Sequence, residues 1–205
     1  MKEKLDILAF GAHPDDIELA CSGTILKHLK NGLKIGIIDL TRGELGTRGT
    51  VETRNQETIN STKVLGVQLR ENMDFKDGFF ENNEENKIKL IKKIREYRPE
   101  IVLTNAPTDR HPDHGRSSEL TIDACFLSGL EKIETGQDVW RPKHIYHYIQ
   151  FNTILPDFVV DITEEMDKKL ESILCYKTQF YNPDSKESET IISSEDFLES
   201  VKYRA

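Results

Sequence analysis

The chain has 205 residues, 37% hydrophobic and 31% charged, with 36 acidic against 28 basic side chains and a net charge of -8. That length suits one domain with a sizeable core, and the negative balance argues against nucleic acid or an anionic membrane surface as the main partner. Three scattered cysteines, Cys21, Cys125 and Cys175, form no Cys-x-x-Cys pair, so neither a disulfide framework nor a cysteine zinc site is indicated.

In chain order, Leu5 to Phe10 is a short apolar run suited to a buried parallel strand, entered directly from a charged N-terminus with no apolar leader. No apolar run approaches the roughly 18 residues that a membrane span requires, and the expectation is a cytoplasmic protein. Ile17, Leu19, Ala20, Ile25, Leu26 and Leu29 then recur at helical spacing as far as Asn31-Gly32. Lys34 to Leu40 is the second strand, and 41–50 is a loop with glycines at 43, 46 and 49. From Val51 the pattern is helical up to Gly66, a C-terminal stop, and either Val67 to Leu69 or Met73 to Phe75 supplies a third strand. Lys76-Asp77-Gly78 signals a turn, Glu84 to Tyr97 a helix blocked by Pro99, and Ile101 to Thr104 a fourth strand. A loop from Asn105 to Gly115 precedes a helix through Leu120 and Leu127. His144 to Phe151 and Phe158 to Ile162 read as strands of a sheet extension, Thr163 opens a helix, and Ser193-Ser194-Glu195-Asp196 caps a last one. The expectation is a single α/β domain over 1–205: a Rossmann-like, mostly parallel sheet with helices on both faces over about 1–128, and a sheet and helix extension over about 140–205.

Two segments carry chemistry. Gly11-Ala12-His13-Pro14-Asp15-Asp16 follows the first strand, and His111-Pro112-Asp113-His114 follows the fourth. Imidazole and carboxylate clustered in this way bind zinc or related divalent metals through nitrogen and oxygen, and two half-sites point to one metal. With strand order 3-2-1-4, strands 1 and 4 are neighbours and both segments open into the crevice at their carboxyl ends. No Gly-x-Gly-x-x-Gly dinucleotide fingerprint follows the first strand, which disfavours a nucleotide-binding module. His28, His144 and His147 have no comparable partners and are assigned no role.

Ala12-His13-Pro14-Asp15-Asp16, the segment Thr41-Arg42-Gly43-Glu44-Leu45-Gly46-Thr47, Arg54-x-x-Glu57 and His111-Pro112-Asp113-His114 resemble the signature of the PIG-L/LmbE-like zinc-dependent N-deacetylases. Within that family the chain is most similar to the bacillithiol biosynthesis deacetylases, which remove acetate from N-acetylglucosaminyl malate. Gly49-Thr50-x-Glu52-Thr53-Arg54 and Tyr176-Lys177-Thr178-Gln179-Phe180 carry that finer likeness.

The resemblance implies that His13, Asp16 and His114 ligate one Zn2+ per chain, with Fe2+ as the alternative metal, and that Asp15 is the general base. Three protein ligands leave a position open, as hydrolytic zinc sites require. His111, held protonated by Asp113, would stabilise the oxyanion. Arg42, Arg48, Arg54, Arg110 and Arg116 all lie near the segments after strands 2 and 4. Arg54 and Arg110 are the first choices to grip a substrate carboxylate, with Glu44 as a further substrate contact. The implied partner is a small anionic N-acetylglucosaminide bound by a homo-oligomer, with no nucleic acid or membrane involved. An amidase of related thiol conjugates and a non-catalytic zinc or carbohydrate-binding protein are the alternatives.

Overall fold

In the first strand, β1 (Ile7–Gly11), every residue is buried, and its side chains alternate between two cores. Leu8 and Phe10 point to one face of the sheet, Ile7 and Ala9 to the other. This is the pattern of a central parallel strand covered on both sides. The computed structural model describes residues 3–204. After β1 come α1 (Asp16–Ala20), α2 (Ser22–Lys30), β2 (Ile35–Thr41), α3 (Val51–Leu65), β3 (Leu69–Phe75), α4 (Glu84–Tyr97), β4 (Ile101–Asn105), α5 (Pro112–Leu127) and β5 (His144–Tyr148). A 3-10 turn at Thr163–Glu165 leads into α6 (Met166–Leu174), and a second at Ile191–Ser193 precedes α7 (Glu195–Arg204).

The sheet has the order β3-β2-β1-β4-β5, and each neighbouring pair is parallel. Strand order 3-2-1-4 is therefore as expected, with β5 added beside β4. One face packs Leu8, Phe10, Ile38 and Leu40 against Leu90, Ile91 and Ile94 of α4 and Leu120 and Ala124 of α5. The other face packs Ile7, Ala9, Ile35 and Ile37 against Ile17, Ile25 and Leu65. A third, smaller core of Ile173, Tyr176, Phe180 and Val201 joins α6 and α7, with Leu19, Leu170 and Phe197 packed on it.

Several elements differ from their expected form. The helix after β1 is interrupted at Cys21, giving α1 and α2, and β3 contains the whole of the candidate Met73 to Phe75 but only Leu69 of the other. Residues 158–162 form no strand: the carbonyl of Asp161 accepts from Lys27, and Ile162 is packed over Gly23 of α2. Ile162 covers a helix, Phe158 packs edge-on against Tyr146 and Val159 is exposed, so none of them extends a ladder. The loop after β4 ends earlier than expected, because α5 starts at Pro112 with His111 as its N-cap. Proline at the first helical position, where no amide hydrogen is needed, explains that start. Among the described residues no helix is long and apolar enough to cross a membrane.

Candidate metal centre

β1 and β4 are hydrogen-bonded neighbours, so the segments leaving their carboxyl ends meet. The rings of His13, His111 and His114 cluster with centroids 4.6 to 5.8 Å apart, and one nitrogen from each lies within 4.8 Å of the others. Which nitrogens are free follows from the acceptors on the opposite side of each ring. His13 Nε2 is 3.0 Å from Asp77 Oδ1 and 3.4 Å from Asp113 Oδ2, which leaves Nδ1 facing Asp16 Oδ2 at 3.7 Å. His114 Nδ1 is 2.7 Å from Asp109 Oδ2, which leaves Nε2 facing Asp16 Oδ1 at 3.3 Å. Carboxylates behind both imidazoles thus aim one nitrogen of each at a third carboxylate, the arrangement typical of ligating histidines. This donor set of two nitrogens and one buried carboxylate fits a divalent metal such as zinc.

Asp16 is buried and its carboxylate is tightly held. Oδ2 accepts from the His13 amide at 3.0 Å and from Asn105 Nδ2 at 3.2 Å, while Oδ1 accepts from Gln150 Nε2 at 2.7 Å. Burial works to raise its pKa, but the His114 and His13 rings outweigh this and hold it well below the usual carboxylate range. Burial likewise works to lower the His13 and His114 pKa values, and their carboxylate partners win: His13 is raised well above the ordinary imidazole value and His114 to about 9. The inward nitrogens are positions that take either a proton or a cation.

Asp15 stands beside this group with φ 121°, a left-handed conformation that costs a non-glycine residue about 1–3 kcal/mol. Arg54 Nη1 donates to Asp15 Oδ2 at 3.1 Å and to the Pro14 carbonyl at 2.9 Å, fixing the turn from α3. Burial pushes the Asp15 carboxyl up to about 7, and the Arg54 guanidinium opposes the rise. The glycine loop has a steric reason here: a Cβ at Gly43 would lie 3.0 Å from Arg54 Nη1, and one at Gly46 3.2 Å from Nη2. Glycine lets the loop close over the guanidinium.

The expected substrate contacts are placed differently. Arg54 is buried and committed to Asp15 and Pro14, so it is no open carboxylate clamp. Glu44 Oε1 accepts the Asp77 amide at 2.8 Å while Asp77 Oδ2 accepts the Leu45 amide at 2.9 Å, so Glu44 ties the glycine loop to the turn behind His13. Arg42 pairs with Asp74, Arg48 bonds Ser185 beside Glu187, and Arg116 bonds Asp113 and the Gly78 carbonyl. Arg110 alone among the five is without a carboxylate partner among the described residues, and its guanidinium lies 4.6 Å over the half-buried ring of Phe151.

Asp113 also differs from expectation. Its carboxylate faces His13, the Gly78 amide and Arg116, and only its backbone amide reaches His111, donating to Nδ1 at 3.2 Å. Burial and the neighbouring His13 and His114 charges lower the His111 pKa, and because Nδ1 accepts the Asp113 amide, the neutral ring carries its hydrogen on Nε2. Four residues with a place in the centre were not legible in advance: Asp77, Asn105, Asp109 and Gln150. Asp77 was visible only as part of a turn signal; Asp109, five residues before His114, and the two amides carried no pattern at all.

The profile of the PIG-L family, described as GlcNAc-PI de-N-acetylase, matches residues 8–125. Diacetylchitobiose deacetylase of Thermococcus kodakarensis is 30% identical over 186 residues, 85% of this chain and 70% of that protein. A probable N-acetyl-alpha-D-glucosaminyl L-malate deacetylase of Bacillus anthracis is 25% identical over 193 residues, 88% of this chain and 84% of that protein. Among solved structures, the conserved protein TT1542 of Thermus thermophilus superposes with a TM-score of 0.88 at 34% identity, covering 98% of this chain and 86% of that one. A profile match across more than half of the sequence, spanning both segments that build the histidine and aspartate cluster, places this chain in the PIG-L family of deacetylases.

Proposed function

We propose that this protein hydrolyses the acetamide of an N-acetylglucosaminide that carries a carboxylate, with N-acetylglucosaminyl malate as the preferred substrate, releasing acetate and the free amino sugar. The observation that carries the reading is the convergence of His13 Nδ1 and His114 Nε2 on Asp16 beside the strained, buried Asp15. His13, Asp16 and His114 would hold the metal. When bound there, a divalent ion supplies Lewis acidity toward the acetamide carbonyl and lowers the pKa of a water. The Asp15 carboxylate accepts a proton from the attacking water and returns it to the leaving amine nitrogen. Arg54 favours the ionised form of that carboxylate and aims it. Neutral His111 donates from Nε2 to the carbonyl oxygen as negative charge builds on it, a role that does not need the protonated ring expected from sequence. Asp77 and Asp113 hold the His13 ring, and Asp109 holds His114.

The malyl preference rests on Arg110, whose planar guanidinium lies over Phe151 with no carboxylate partner among the described residues. The finer likeness to a malate deacetylase supports it, and the likeness to a diacetylchitobiose deacetylase names the rival, a neutral disaccharide. Free-amine release should be measured on N-acetylglucosaminyl malate, diacetylchitobiose and N-acetylglucosamine, for wild type and Arg110→Ala. The expected outcome is a higher kcat/KM for the malyl compound, and a loss in Arg110→Ala about tenfold or more for that compound alone, as befits one charge-assisted contact. Equal losses on charged and neutral substrates would remove the carboxylate from the reading, and no amine release from any of them would remove the acetamide.

A further inference from the structure

The structure assigns the turn 150–152 as a positioning element for two of the proposed metal ligands at once, braced from outside by α7. This rests on the reading of the centre given above and goes beyond it, because it ties the C-terminal part of the chain to ligands that lie in the two His-Pro-Asp segments. Gln150 Nε2 donates to Asp16 Oδ1 at 2.7 Å, and its Oε1 accepts from Asn105 Nδ2 at 3.3 Å. Asn105 Nδ2 also donates to Asp16 Oδ2 at 3.2 Å, and Asn105 Oδ1 accepts the Ala12 amide at 3.1 Å. Two linked side-chain amides therefore cradle both oxygens of Asp16. The next two residues serve the other ligand: the Phe151 and Asn152 amides donate to Asp109 at 3.4 and 2.8 Å, and Asp109 in turn holds His114 Nδ1. A shift of this single turn would rotate Asp16 and release His114 together.

What holds the turn lies outside the Rossmann-like core. Arg204 at the end of α7 donates to the carbonyls of Gln150 and Phe151. Phe197 of α7 stacks on Phe151 at 6.1 Å with an interplanar angle of 18°, and on Phe180 at 6.4 Å. The hydrogen bonds from α7 reach the carbonyls of Gln150 and Phe151, and the ones to the centre leave from the Gln150 side chain and the Phe151 and Asn152 amides, so the brace and the cradle use different atoms of one turn. Partners behind the ligands of a metal site typically change its affinity 10–100-fold when removed.

The test measures the Zn2+ dissociation constant of the full-length protein by competition with a chromogenic chelator, together with the melting temperature in excess EDTA. Gln150→Met keeps the side-chain length and removes both polar groups; it should weaken Zn2+ binding about 10–100-fold while the melting temperature in EDTA stays at the wild-type value. Arg204→Ala, an exposed change that leaves the core intact, should weaken binding several-fold in the same direction. Wild-type affinity in Gln150→Met would overturn the positioning role. A parallel fall in affinity and in EDTA-treated melting would also overturn it, by making Gln150 a folding residue. Wild-type affinity in Arg204→Ala would overturn the bracing by α7. His114→Ala is the control for the underlying reading: if it binds Zn2+ like wild type, the proposed ligand set is wrong, whereas loss there with no effect in Gln150→Met sinks only the inference drawn from the turn.

Discussion

Asp15 combines burial, a positive φ and a buried guanidinium partner, and each has a chemical consequence. Replacing it with Asn keeps the shape, and Asn tolerates positive φ, but the amide cannot take a proton. Asp15→Asn should therefore retain its metal by elemental analysis and lose about 10²–10⁴ in kcat, the usual size of one acid-base group. Near-normal kcat with metal bound would pass the role to another residue. A base works when deprotonated, so the rate should rise as pH climbs through the pKa of Asp15. Arg54 favours the ionised form, and Arg54→Met should move that limb of the kcat/KM profile to higher pH. An unmoved limb in a folded, metal-loaded variant would uncouple the two residues. Sequence made His13, Asp15, Asp16, His111 and His114 visible because each sits in a dense motif. It did not show that Arg54 faces inward to Asp15, since an arginine on a helix looks the same whether its head reaches solvent or a carboxylate 39 positions earlier.

At the scale of elements, a buried ionic cluster ties together α1, β2 and β3. Arg70 of β3 donates from Nε and Nη2 to both oxygens of Asp39 in β2, at 2.7 and 3.0 Å, and from Nη1 to Glu18 Oε1 of α1 at 2.5 Å. Ser61 of α3 and Tyr176 beyond α6 also donate to Glu18, which is fully buried. Removing one partner leaves buried charge uncompensated, so Arg70→Met should destabilise by about 3–5 kcal/mol, read as a lower midpoint in urea unfolding at constant slope. A loss below about 1 kcal/mol would mean that water or a shifted side chain takes over. The cluster also explains why β3 was hard to read. Leu69–Phe75 alternates too little because an edge strand turns Arg70 inward to meet carboxylates instead of apolar side chains. Lys169 of α6 is a parallel case: it is buried and donates to the carbonyls of Glu18, Leu19 and Ala20, capping α1, and burial draws its ammonium down to about 8. Its helical spacing alone would have placed a lysine in solvent.

At the scale of the whole molecule, the centre draws on the ends of β1, β4 and β5, the turn after β3 and the start of α5, so a bound metal links most of the sheet. Anything that binds the native state and not the unfolded chain stabilises it, by about 2.7 kcal/mol at one hundred times the dissociation constant. Adding Zn2+ to chelator-stripped protein should raise its melting temperature, and His13→Ala and His114→Ala should abolish the rise; a rise that persists in both would put the metal elsewhere. The sequence by itself determined the β-α-β course of the first half, the helix stops at Gly66 and Pro99, and the two His-Pro-Asp segments at strand ends. These are local matters of period, chirality and turn chemistry, settled within a few residues of chain. Only the tertiary structure decided which nitrogen of each histidine is free, that Glu44 and Arg54 serve the framework, and that Asp77, Asn105, Asp109 and Gln150 close around the centre. Those facts depend on partners up to 134 positions apart in the chain, brought into hydrogen-bonding range by strand order and by the seating of α7, and no local pattern encodes such distances.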